Sequence, residues 1–136
     1  MSDPIRVGLA GFGLGGRAFH APFITSNPRL RLTHVLQPHG NDAAELYPGV
    51  HVVREFDELL DAAAGIQLVV VATPNPTHGP YARRALEAGK HVVVDKPFAV
   101  SVDEARIVTT TAKEVGRIVA PYQNRRWDGD FLTVRA

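Results

Sequence analysis

Short apolar runs rich in Val, Ile and Leu, each bounded by turn residues, recur near residues 5–10, 30–36, 50–53, 67–72, 91–95 and 117–122. They are apolar at successive rather than alternate positions, which predicts strands buried on both faces, as in a parallel sheet. The segments between them carry helix punctuation. Asn41 stands where it can cap a short helix over Asp42 to Leu46 that Pro48 and Gly49 end, and Asp57 to Ala64 reads as another helix stopped by Gly65. Thr77 precedes a helix whose first turn tolerates Pro80 and whose Ala82, Ala85 and Leu86 share one face before Gly89. Ser101 and Glu104 form a capping box ahead of Ala105, Val108, Ala112 and Val115 at helical spacing, and Gly116 closes that helix.

Strands alternating with helices imply right-handed crossovers and a sheet covered on both faces. The fold class this predicts is α/β, a doubly wound parallel sheet of the Rossmann type, with strand order 3-2-1-4-5-6 and ligands at the carboxyl ends of the strands. The first strand sharpens the expectation. Ile5 to Ala10 runs directly into Gly11-Phe12-Gly13-Leu14-Gly15-Gly16, which sets G-x-G-x-x-G at Gly11, Gly13 and Gly16, and Arg17 to Ala21 continue in helix-compatible residues until Pro22. In such a motif the first glycine permits the tight turn, the second lets backbone approach a pyrophosphate, and the third lets the helix pack closely on the strand. The helix start offers free N–H groups and a partial positive charge to phosphates. A dinucleotide is therefore expected across the switch point between the first and fourth strands.

Composition narrows the alternatives. The 136 residues fit one domain, and 45% hydrophobic with 21% charged residues describes an ordinary globular chain. A net charge of +1 and the absence of any basic run give no electrostatic case for nucleic acid. Without cysteine there are no disulfides, thiolate metal sites or thiol nucleophiles. Met1-Ser2-Asp3-Pro4 lacks the features of a signal peptide, and no apolar run approaches the ~18 residues of a membrane span, so a cytoplasmic location is expected. His20, His34, His39, His51, His78 and His91 show no metal-ligand spacing, and no metal is expected. There is no G-x-S-x-G elbow, and Ser2, Ser26 and Ser101 read as terminus, loop and cap.

Two further stretches matter beside the glycine loop: Val69-Val70-Val71-Ala72-Thr73-Pro74-Asn75-Pro76-Thr77-His78 and Ala88-Gly89-Lys90-His91-Val92-Val93-Val94-Asp95-Lys96-Pro97. With Gln123-Asn124-Arg125-Arg126-Trp127-Asp128, they make the chain resemble, over essentially its whole length, the glucose–fructose oxidoreductase / inositol dehydrogenase / rhizopine-catabolism (Gfo/Idh/MocA) family of nicotinamide-dependent sugar oxidoreductases. The resemblance implies that Gly11, Phe12, Gly13, Leu14, Gly15 and Gly16 hold the pyrophosphate, and that Thr73, Pro74, Asn75 and His78 follow the fourth strand beside the cofactor. Asp95, Lys96 and Asn124 complete the expected cofactor set. It also implies a catalytic Lys96, near the nicotinamide and the reacting hydroxyl. The family's Glu-Lys-Pro reads Asp95-Lys96-Pro97 here, one methylene shorter. The chemistry suits a lysine independently, since a dehydrogenase must remove a hydroxyl proton as hydride leaves the same carbon.

The adenosine end departs from pattern. An NAD-type site carries Asp or Glu about 20 residues beyond the glycine loop, to bind the ribose hydroxyls. Here the second strand ends in Val35-Leu36-Gln37-Pro38-His39-Gly40-Asn41, and the first acid, Asp42, belongs to the next helix. The missing acid permits NADP, with Gln37 or His39 as contacts. No arginine is visible close by, and the choice between NADP and NAD leans only towards NADP. The family's Ser or Thr followed by Arg at this position is absent too.

Residues 1–125 are expected to form the NAD(P)-binding domain and 126–136 the start of a connection to a second, substrate-binding domain outside this chain. Trp127, Phe131 and Leu132 then have no obvious place to bury, which leaves self-association into a homo-oligomer open. The function expected is the nucleotide-binding half of an NAD(P)-dependent oxidoreductase acting on a sugar, polyol or related hydroxy compound, binding cofactor with little or no turnover by itself. The alternatives are a non-catalytic dinucleotide-sensing module, and a Rossmann-like S-adenosylmethionine enzyme, against which the complete three-glycine spacing argues.

Overall fold

The computed structural model describes residues 2–136; Met1 lies outside them. Six strands form one parallel sheet: β1 (Ile5–Ala10), β2 (Leu30–Leu36), β3 (His51–Val53), β4 (Leu68–Val71), β5 (His91–Val94) and β6 (Val119–Pro121), in the order β3-β2-β1-β4-β5-β6. That is the order expected. The continuous apolar runs are explained by burial on both faces. In β4, Val69 and Val71 enter one core and Val70 the other. The first core packs the sheet against Phe56, Leu59, Ala82, Ala85, Leu86, Val108 and Ala112, and the second against Ala21, Ile24 and Ala43. Gly8 in β1 leaves room for Leu59 and Ile66, since a Cβ there would stand 2.8 Å from Ile66 Cδ1. Leu9, Leu59 and Leu86 are fully buried, each contributing about 1.5–3 kcal/mol of transfer free energy.

The helices are α1 (Ala21–Ser26), α2 (Asp42–Leu46), α3 (Phe56–Leu60), α4 (His78–Glu87), α5 (Val102–Glu114) and α6 (Gly129–Arg135). Several local expectations are corrected. Pro22 does not end the helical run after the glycine loop. A π-helical turn over Gly15–His20 leads into α1, and Pro22 sits in the first turn of α1, where its missing N–H is tolerated. The helix expected over 57–64 is two pieces. Glu55 and Glu58 make a reciprocal capping box for α3, then Asp61 turns the chain and accepts from the Ala63 N–H to start a short 3-10 turn. Asn41 makes no side-chain cap of α2; Gln37 Oε1 accepts the Ala43 N–H instead, at 3.1 Å. Thr77 does not cap α4, because its hydroxyl donates to the Pro74 carbonyl at 2.7 Å. Ser101 caps α5 as expected, but Glu104 reaches back to the Val100 N–H rather than to Ser101.

Every strand of a parallel sheet ends at the same edge. The loops after β1, β2, β4 and β5 and the segment after β6 therefore converge, and the chain's polar chemistry gathers there. Among the described residues no helix is long and apolar enough to cross a membrane, and no group of three or more His, Asp or Glu is placed to hold a metal ion. Helix α6 and Trp127 lie on the surface, with Trp127 69% exposed.

Candidate functional site

The glycine loop separates its glycines by job. Gly11 has φ +101°, and a Cβ there would lie 2.5 Å from the Ala72 carbonyl oxygen, so it both turns the chain and packs β1 against the end of β4. Gly16 would place a Cβ 2.0 Å from the Gly11 carbonyl oxygen, which makes it the close-packing position. Gly13 meets nothing within 4 Å; its backbone faces open space, as a phosphate cradle requires. Gly15 has a different neighbour, Asp95 Oδ2, 2.9 Å from where its Cβ would stand. Phe12 packs edge-on against Tyr47, and Leu14 projects outward, 77% exposed.

At the ends of β4 and β5 a hydrogen-bonded wall forms. The Thr73 and Thr77 hydroxyls lie 2.6 Å apart, and Pro74 and Asn75 are exposed beside them in the turn that begins α4. His78 is 1% exposed, with Nε2 2.7 Å from the Thr73 carbonyl oxygen and Nδ1 2.7 Å from that of Pro97. Both nitrogens are thus committed to backbone, so His78 ties the two loops together rather than presenting a nitrogen to a ligand. Asp95 Oδ1 accepts the Lys96 N–H at 2.8 Å, and the Lys96 side chain stands exposed at the rim.

His20 lies behind this wall, buried at 4% exposure. Its Nε2 is 3.4 Å from Asp95 Oδ2 without the alignment of a hydrogen bond, and its ring lies 4.3 Å, centroid to centroid, from that of Tyr122. Burial pushes the His20 imidazole below its ordinary pKa, outweighing the nearby Asp95. Burial, then the Asp95 charge, raises the Tyr122 phenol. Neither His20 nor Tyr122 was legible as a site residue, because only the folded sheet brings residue 20 to residues 95 and 122.

At the end of β2 the geometry corrects the expectation that no arginine is near. Arg54 Nη1 donates to the carbonyls of Gln37 and Gly40, at 2.6 Å each. Gln37, a candidate cofactor contact, is buried with its Oε1 engaged at α2, whereas His39 is exposed on the loop.

Two cavities flank the glycine loop. One, of 440 Å³, is lined by Gly11 to Gly15, Leu36, Pro38, Thr73, Pro74 and Tyr81 among others; the second, of 510 Å³, includes Asp95, Lys96, His78, Tyr122 and Asn124. Leu14, Gly15, Ala72 and Thr73 border both. The structure thus brings nearly all the expected residues to one groove across the β1/β4 switch point, with Gln37 buried at the end of β2.

A doubly wound sheet with this loop is a nucleotide-binding domain of the Rossmann class. The Gfo/Idh/MocA model, described as an oxidoreductase family with an NAD-binding Rossmann fold, matches residues 5–123, and the chain belongs to that family. It is 47% identical over 135 residues to the uncharacterized oxidoreductase YdgJ of Escherichia coli, covering 99% of this chain and 39% of that protein. It is 35% identical over 133 residues to the scyllo-inositol 2-dehydrogenase (NADP(+)) IolW of Bacillus subtilis, covering 98% and 37%. A crystal structure from Bacteroides fragilis superposes with TM-score 0.91 at 47% identity, over 98% of this chain and 39% of that one. The chain thus spans about two-fifths of the length of the relatives it matches.

Proposed function

We propose that the chain is the cofactor-binding half of an NAD(P)-dependent dehydrogenase acting on a polyol, sugar or related hydroxy compound. The observation that supports this most is the pair of cavities meeting at the glycine loop, since a dinucleotide needs two nucleoside pockets straddling one pyrophosphate cradle. The empty space over Gly13 and the turn at Gly11 fit such a cofactor. The polyol reading draws on the name of the inositol dehydrogenase relative.

In this mechanism the Gly11–Gly16 backbone would hold the pyrophosphate, while Thr73, Pro74 and Asn75 would border the nicotinamide end. When bound, nicotinamide supplies the hydride acceptor or donor. Lys96 Nζ, at the rim, would hold the substrate hydroxyl and, as the neutral amine, would take up its proton to become the ammonium while the carbon's hydride passes to the nicotinamide. Asp95 fixes the Lys96 backbone through the 2.8 Å hydrogen bond, and His78 holds Pro97 against Thr73. With no acid on the loop after β2, NADP is favoured over NAD.

The test is titration of this chain with NADPH and with NADH, read by nicotinamide fluorescence and thermal stability. Saturable binding with raised melting temperature supports the proposal. Failure of both cofactors with a folded chain overturns it.

A further inference from the structure

Against the loop after β2 stands a cation that the order of residues conceals. Strands β2 and β3 pair in parallel with Leu36 opposite Val53, so the next residues, Gln37 and Arg54, leave the sheet side by side. The Gln37 N–H donates to the Val53 carbonyl at 3.0 Å, which locks the two exits together. From there the Arg54 guanidinium crosses the loop and fastens both its ends, through Nη1 to the Gln37 and Gly40 carbonyls. Gly40 takes φ +77°, which lets the loop curl around that contact.

This anchoring leaves Nε and Nη2 without a hydrogen-bond partner among the described residues, and no carboxylate there lies within ion-pair distance of the guanidinium. The nearest acids are otherwise placed. Glu58 accepts the backbone N–H groups of Arg54 and Glu55, and Asp42, which starts α2, has Oδ1 3.9 Å from where a Gly40 Cβ would stand without forming an ion pair with Arg54. A guanidinium offers planar, charge-assisted donors suited to phosphate, and one already pinned by two carbonyls loses little freedom on binding.

We propose that Arg54 recognises the 2′-phosphate of an NADP-type dinucleotide and so sets the cofactor preference; this rests on the dinucleotide reading above. The loop after β2 is where the adenosine ribose lies in a doubly wound fold, and Leu36 and Pro38 from that loop line the adjoining cavity. Arg54 therefore supplies the positive charge that the neighbouring sequence lacks, from 17 residues downstream of Gln37.

The experiment compares NADPH, NADH and 2′,5′-ADP binding by this chain and its Arg54→Gln and Arg54→Lys variants, with thermal melts to establish folding. The expected result is a wild-type preference for NADPH. In Arg54→Gln, NADPH and 2′,5′-ADP affinity falls at least about tenfold while NADH affinity stays within about twofold, and Arg54→Lys keeps part of the preference. On the wild-type chain, NADPH affinity should also fall more steeply with added KCl than NADH affinity. Equal losses for NADPH and NADH in a folded Arg54→Gln chain would make Arg54 a loop clamp only and overturn the proposal, as would a wild-type preference for NADH or equal salt slopes. Binding of neither cofactor by the folded wild-type chain would instead remove the dinucleotide reading itself.

Discussion

His20 Nε2 lies 3.4 Å from Asp95 Oδ2, joining the helix that follows the glycine loop to the strand end that carries Lys96. The imidazole is buried and lacks a hydrogen-bond partner at Nε2, and burial lowers its pKa below the ordinary 6.5 despite the carboxylate. The sign of the pH effect follows. Above about 6.5 the ring is neutral in both folded and unfolded chains, and between its folded value and 6.5 the unfolded chain binds more protons.

Stability should therefore be full above pH 6.5 and fall as pH drops below it. His34, lowered by burial and then by His51, adds to the same trend. Melting temperature measured from pH 7.5 to 5 should decline in the wild type and decline less steeply in His20→Gln. An equal slope would show that His20 does not titrate as described.

Gly13 and Gly16 should separate under substitution. An alanine at 16 would meet the Gly11 carbonyl oxygen at 2.0 Å, so Gly16→Ala should destabilise the fold by about 2–4 kcal/mol in urea. At 13 the space is open, and Gly13→Ala should leave stability within about 0.5 kcal/mol while weakening dinucleotide binding about tenfold or more. Parallel urea melts and NADPH titrations check both.

His78→Ala removes two 2.7 Å contacts and leaves the Thr73 and Pro97 carbonyls without the ring. A loss of about 2–4 kcal/mol in urea unfolding is expected. His78→Phe, which keeps the volume but neither nitrogen, should recover little of it; full recovery would show that packing alone mattered.

Lys96 is exposed, and its side chain makes no hydrogen bond or ion pair among the described residues. In a longer enzyme containing this chain, Lys96→Ala should lower kcat by about 10²–10⁴ while cofactor affinity and melting temperature change little. Parallel loss of NADPH binding would instead make it a cofactor residue.

How legible the site was depended on distance along the chain. The glycine turn could be read because Gly11, Gly13 and Gly16 act within one strand-to-helix connection. Arg54 could not, because its partners are 14 and 17 residues away and meet it only through the β2/β3 register. Asn41 looked like a cap because local rules favour it, yet Gln37 wins the Ala43 N–H once the loop folds. Pro22 looked like a stop, but a π-helical turn before it places it where a helix tolerates proline.

By itself the chain's order of apolar runs and glycines determined a parallel sheet, its strand order and a tight glycine turn at its centre. Each of those follows from patterns within a strand, a turn or a single crossover. Only the tertiary structure decided that Asp95 packs against Gly15 and His20, that His78 staples Thr73 to Pro97, and that Arg54 guards the end of β2. Those contacts join separate strand ends, and it is the parallel register that brings the ends together at one edge.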